Sequence, residues 1–257
     1  MTGRSGLLGL AGLAGFGVLL ELAPRAGLVP DRYAPPTSRI LAALGEQVRE
    51  QRFWLALSDT LRTWATGLAI AVAAGVALGV LVGATPLLRA ATASTIEFLR
   101  PIPSVALIPL AVLLYGATRT STLVLVVYAS FWQVLVQVLH GVADVDPVAH
   151  DTARSYRLGR WARLRWLVWP TALPYAVTGV RLAASVALIL AITGELVIGS
   201  PGLGREIAVA QTSGAVPAMY ALVLVTGLVG VAANVVTRAA ERRVLSWHPS
   251  VRGEVPA

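Results

Sequence analysis

The chain has 257 residues, 56% of them hydrophobic and only 13% charged, with a net charge of +8. Soluble domains usually carry about 25% charged residues, so a water-covered globule of this size is excluded. No Cys is present, which removes disulfides and thiolate metal sites, and no pair among His140, His150 and His248 has helical ligand spacing for a metal. All 21 basic residues are Arg; on so apolar a chain they read as basic loops at a membrane surface rather than as a nucleic-acid patch.

Stretches without Asp, Glu, Lys or Arg cover 63–88, 120–143 and 207–237, which are 26, 24 and 31 residues long. A helix crosses the hydrocarbon core with roughly 20 apolar residues. The sequence therefore predicts an all-α integral membrane protein with six transmembrane helices, near 5–22, 63–84, 104–118, 121–141, 176–197 and 217–237. The first follows Arg4, and its alternative is a cleaved signal; no small-x-small site follows Glu21, so a retained span is the reading adopted. With the N-terminus inside, twelve Arg fall on the cytoplasmic side and eight outside, and Arg154, Arg157, Arg160, Arg163 and Arg165 crowd a single inside loop. That loop decides the orientation, with both termini cytoplasmic.

In chain order, Pro35-Pro36-Thr37-Ser38 opens a helix with Ser38 as N-cap. Leu41, Leu44, Val48 and Leu55 continue it at helical spacing, as an interfacial amphipathic helix that either docks an external partner or lies on the membrane. Gly75, Gly79 and Gly83 recur every fourth residue in the second span, a pattern that packs helices closely, within one subunit by preference over a dimer seam. Pro101, Pro103 and Pro109 predict a broken third span, a candidate kink or gate whose freed carbonyls need protein or water partners.

Gln133 and Gln137 share a face of the fourth span beside Trp132, as candidates to bond a solute or a neighbouring helix. Arg181 and Glu195 are the ionisable residues of the fifth span and therefore pathway candidates. They lie about 21 Å apart along a helix and cannot pair directly. Arg181 could also snorkel to the cytoplasmic surface. Glu195 could line an outer gate, pair across a dimer, or reach water.

The stretch 144–175 is long, polar and basic. Asp146-Pro147 suits a helix start, and a second basic helix should follow and stop at Pro170 and Pro174. The result is a protruding helix–turn–helix; a simple anchor loop would need neither the length nor the paired prolines. Asp151-Thr152-Ala153, then Arg157, Leu167 and Trp169-Pro170, resemble the Glu-Ala-Ala … Gly … Ile-x-Leu-Pro loop of the membrane subunits of binding-protein-dependent ATP-binding-cassette importers. The spacing is kept, with Asp for Glu, Thr for Ala, Arg for Gly, Leu for Ile and Trp for Leu. Gly159 lies two positions past the family's glycine, and whether it takes over the turn is open at this point.

Phe98 to Leu110, Ala172-Leu173-Pro174-Tyr175, Thr178-Gly179-Val180-Arg181-Leu182 and Gly202-Leu203-Gly204 resemble the nitrate/sulfonate/taurine/bicarbonate branch of these permeases, in family order over about residues 28–245. The resemblance implies a type I importer permease fold and a homodimer in the cell membrane. It implies two separate ATPase subunits that dock on Asp151, Thr152, Ala153, Arg154, Ser155, Arg157 and Gly159, and an extracytoplasmic binding protein. The solute would be a small anion such as a sulfonate, taurine or nitrate. No cofactor or metal is expected on this chain; ATP is used by the partner, since no Gly-x-x-x-x-Gly-Lys run and no Lys occur here.

The organisation this implies is an N-terminal span (1–27), an outer loop with an amphipathic helix (28–62), a permease core (63–240) holding the coupling loop (142–170), and a cytoplasmic tail (241–257). The rivals are an ion-coupled secondary transporter working through Arg181 and Glu195, and a membrane enzyme built on His140, Asp144, Asp146, His150 and Asp151.

Overall fold

The computed structural model describes residues 2–28, 30 and 33–247. Arg252 and His248, and Asp31 and Arg32 of the first loop, lie outside them. Among the described residues every element is helical: α1 (Thr2–Arg25), α2 (Thr37–Gln47), α3 (Gln51–Gly83), α4 (Pro86–Leu99), α5 (Ile108–Tyr115), α6 (Arg119–Ala143), α7 (Pro147–Ser155), α8 (Arg160–Arg163), α9 (Trp169–Ile198), α10 (Leu203–Thr212) and α11 (Val216–Val244).

Among the described residues four helices are long and apolar enough to cross a membrane: α3, α6, α11, and a continuous run of 39 residues from Arg160 to Ile198 that joins α8 to α9. α4 and α5, linked by a tight helical turn at Ser104–Leu107, form a pair bent by 83° that counts as a broken fifth. The span expected at 5–22 falls inside α1.

α6 is the central helix, packed between α3 and α9. The glycine face of α3 explains the first contact. A Cβ added at Gly75, Gly79 or Gly83 would lie 2.8, 2.7 or 2.9 Å from Val134, Val138 or Val142 of α6. Hydrogen at those positions lets the backbones close up, and β-branched Val fills each gap with one stiff rotamer. The packing is within the chain, as the sequence favoured. Gly141 and Gly179 do the same between α6 and α9, against Ala172 and Tyr175 and against Gln137.

Several boundaries differ from the sequence reading. The second span starts at Gln51 rather than 63, so Leu55 belongs to α3, and α2 ends at Gln47. Its charges are absorbed: Arg52 pairs with Glu206 at 2.7 Å, and Asp59 pairs with Arg119. Ser38 is not the N-cap of α2; Pro36 is. Ser38 instead donates its N–H and its hydroxyl to the Glu21 carboxylate, each at 2.9 Å, so α1 supplies the acceptor.

Pro109 sits in the first turn of α5, where a missing N–H costs nothing, and does not kink the helix interior. Pro170 and Pro174 do not stop a helix. A wide π turn at Leu164–Val168 has already shifted the hydrogen-bond register ahead of Pro170, and the helix continues through Pro174.

Candidate functional site

The loop at one end of the bundle is built around α7. Asp146 caps it, its Oδ1 accepting from the Val148 N–H at 2.8 Å, with Pro147 in the first turn. Ala153 alone turns inward, at 7% exposure, while Asp151, Thr152, Arg154 and Ser155 face outward. The exit is a Schellman turn. The Leu158 N–H reaches the Ala153 carbonyl at 2.9 Å and the Arg157 N–H reaches the Arg154 carbonyl at 2.8 Å.

The residue in the left-handed conformation is Arg157, with φ 55°. It occupies the position where the family pattern has glycine. Gly159 does not take over the turn: it is extended, φ −60° and ψ 163°, and leads into α8. The loop is tied back to the bundle by the Tyr175 hydroxyl, which donates to Asp144 Oδ2 at 2.8 Å.

Beside that tie, Gln137, Asp144, Thr171, Tyr175 and Thr178 border a cavity of about 660 Å³ that Trp247 flanks. The structure thus separates the two glutamines of α6: Gln137 borders the cavity, and Gln133 is half-buried along the α9 face. Arg181 is paired with Glu241 of α11 at 3.3 Å, a partner that sequence spacing did not suggest.

At the α4–α5 bend the Leu99 carbonyl lacks an α-helical donor, because Pro103 has no N–H, and accepts instead from the Ile102 N–H at 3.2 Å. The Tyr128 hydroxyl of α6 donates to that carbonyl at 2.8 Å, so the break is satisfied by protein. Pro101 and Pro103 flank the bend, and Pro109 starts the helix beyond it.

At the opposite end Glu195 is fully buried, and does not reach water. Its Oε2 accepts from the Thr60 hydroxyl at 2.8 Å and from the Gly204 N–H at 3.0 Å, and Thr60 Oγ1 in turn accepts from the Leu203 N–H at 2.9 Å. Gly202, φ 153°, presses on the carboxylate so closely that any Cβ would overlap it, and a Cβ on Gly204 would lie 2.7 Å from Glu195 Cβ. The Gly-x-Gly pair is therefore a cradle for a buried acid, joining α3, α9 and α10. Thr60 carried no signal in the sequence; Gly202 and Gly204 did. Among the described residues no group of three or more His, Asp or Glu side chains could hold a metal.

Long apolar helices, a proline-broken span and a capped helix exposed on a basic loop define a membrane permease subunit. The chain belongs to the family of binding-protein-dependent transport system inner membrane components, whose profile matches residues 71–246. It is 29% identical over 230 residues to the taurine transport system permease protein TauC of Escherichia coli, covering 88% of this chain and 84% of that protein. It is 28% identical over 239 residues to the bicarbonate transport system permease protein CmpB of Synechococcus elongatus, covering 87% and 84%. It is also 24% identical over 227 residues to the putative aliphatic sulfonates transport permease protein SsuC of Bacillus subtilis, covering 88% and 82%.

Among solved structures it is similar to the inward-facing MetNI methionine ABC transporter, TM-score 0.63 at 17% identity over 76% of this chain and 98% of that one. An amino acid ABC transporter matches with TM-score 0.63 at 20% identity over 75% and 94%. At these identities the likeness is one of fold, the type I importer permease fold. The chain is a permease subunit of an ABC importer in the inner membrane, and the ion-coupled reading finds no support.

Proposed function

We propose that two copies of this chain form the pathway of an ATP-driven importer for a small anion of the sulfonate, taurine or nitrate class. Two separate ATPase subunits would dock on the α7 loop, and an extracytoplasmic binding protein would deliver the solute to the opposite end. Both termini would then be cytoplasmic. This chain needs no cofactor of its own.

The observation that carries the reading is α7 itself: capped at both ends, anchored by Ala153, and presenting Asp151, Thr152, Arg154, Ser155 and Arg157 outward. Its exit, through Gly159, leads into the helix that runs on to Ile198. ATP closure of the ATPases would favour one of two global states, and the docked α7 would pass that preference to α9. In this scheme Gln137, at the loop-end cavity, meets the solute, with Gln133 and Arg181 along the same route and Glu195 holding the wall behind it. Pro101 and Pro103 flank the bend that would yield as the pathway opens, with Pro109 starting the helix beyond it. The solute class is supported by the names of several relatives, which give aliphatic sulfonates, nitrate and bicarbonate, and taurine, a zwitterion that carries the same sulfonate group.

The test is affinity purification of the chain from native membranes in mild detergent. An ABC ATPase should co-purify at about equal stoichiometry, and Asp151→Lys should lose it while the chain stays inserted. Full ATPase recovery with that variant would sink the assignment of α7, and no ATPase with the parent chain would sink the importer assembly. Labelled taurine, an alkanesulfonate and nitrate, offered in turn to the reconstituted complex, would identify the solute.

A further inference from the structure

Two cavities adjoin where α3 meets the elbow between α8 and α9. The larger, about 660 Å³, is bordered by Arg160, Arg163 and His150 and by the 83–86 turn. The smaller, about 360 Å³, has Val76, Ala77 and Val80 of α3 on one side and Trp161, Arg165 and Trp169 on the other. They share Ala77, Val80 and Leu164 and so make one continuous cleft. Among the described residues no Asp or Glu borders either part.

Arg163 Nε is buried with no hydrogen-bond partner, and none of Arg160, Arg163 and Arg165 joins an ion pair among the described residues. A buried guanidinium nitrogen without an acceptor is costly to leave so. Among the described residues no acidic side chain compensates the basic half of the cleft. The other half is different in kind. Val76, Ala77 and Val80 belong to the apolar part of α3 that is long enough to cross a membrane, so that wall is apolar and lies within the span. Trp161 and Trp169, 74% and 38% exposed, stand at its mouth, and indole rings settle at headgroup level.

We propose that this cleft binds one anionic phospholipid, its phosphate against Arg160 and Arg163 and an acyl chain along Val76, Ala77 and Val80. Basic pockets between spans recognise such headgroups. A soluble phosphate would satisfy the arginines but leave the apolar half unfilled. The lipid would bridge α3 to the segment that leads out of α7, because His150 of α7 borders the same cavity.

The probe is native mass spectrometry of the purified complex, reconstituted with equal amounts of phosphatidylglycerol and phosphatidylethanolamine. One phosphatidylglycerol per chain should stay bound in preference to phosphatidylethanolamine. Arg160→Gln with Arg163→Gln should weaken retention about 25-fold, roughly fivefold for each cationic contact. Arg160→Lys with Arg163→Lys should keep most of it. Ala77→Phe should also weaken it, by filling the acyl side with both arginines in place.

Equal retention of the two lipids overturns the proposal, as does undiminished retention in the double Gln variant. So does competition by glycerophosphoglycerol, the deacylated headgroup, as strong as by the intact lipid, which would mark a soluble-anion site. If the double Gln variant does not assemble, the lipid preference and headgroup competition of the parent complex decide the matter.

Discussion

Arg157 holds a backbone conformation, φ 55°, that costs an L-residue roughly 1–2 kcal/mol. Arg157→Gly should therefore stabilise the fold by about 1 kcal/mol, seen as a higher unfolding temperature and slower proteolysis of the loop. Gly159→Ala should change little, because Gly159 is extended and open space surrounds its missing Cβ. The reverse ranking would mean the turn sits at Gly159 after all.

Glu195 gives a second residue-scale expectation. Glu195→Ala leaves the Thr60 hydroxyl and the Gly204 N–H without their acceptor, at about 1–3 kcal/mol for each buried group. Glu195→Gln keeps an oxygen for both and should be milder. Detergent unfolding temperatures compare the two; equal losses would mean the acceptor role is unimportant. Spacing in the sequence located Arg157, yet could not say which of two nearby residues turns left-handed. That is fixed by the two backbone bonds closing back to Ala153 and Arg154, which depend on where α7 ends.

Among elements, the contact of α3 with α6 is the most exacting. Gly79→Ala should destabilise by about 1–3 kcal/mol through overpacking, although alanine favours an isolated helix. Val138→Ala in the same chain should recover part of the loss, since it removes the Cγ1 that the new Cβ meets at 2.7 Å and leaves the Cβ contact at 2.8 Å to be relaxed. Additive losses in unfolding temperature would refute the contact. The apolar runs made α6 legible to within two residues at each end and α11 at its start, while α11 continues past the expected 237 through Arg238, Arg242 and Arg243 to Val244. The first turns of α3 were hidden because Arg52, Asp59 and Arg62 look like loop residues, and only the fold brings Glu206 and Arg119 to two of them. α4 was hidden because Arg89 and Glu97 interrupt its 14 residues. The Gly75-Gly79-Gly83 face and the proline break were legible, since both are local backbone properties.

For the whole molecule, transport should follow ATP and not an ion gradient. Uptake by proteoliposomes holding the full complex should survive ionophores that collapse proton and sodium gradients, and stop when ATP is withheld; loss of uptake on adding ionophore would restore the secondary-transporter reading. The run from Arg160 to Ile198 is 39 residues, about 58 Å long at 1.5 Å per residue. It begins just past α7 and ends beside the Glu195 cradle, so it is a lever. A tilt of about 5° displaces its far tip by about 5 Å, roughly one helical pitch. In the proposed coupling scheme a modest push on the loop would be geared up into a stroke at the far end of this run, where Gly202 and Gly204 close on Glu195 and would carry α10 along.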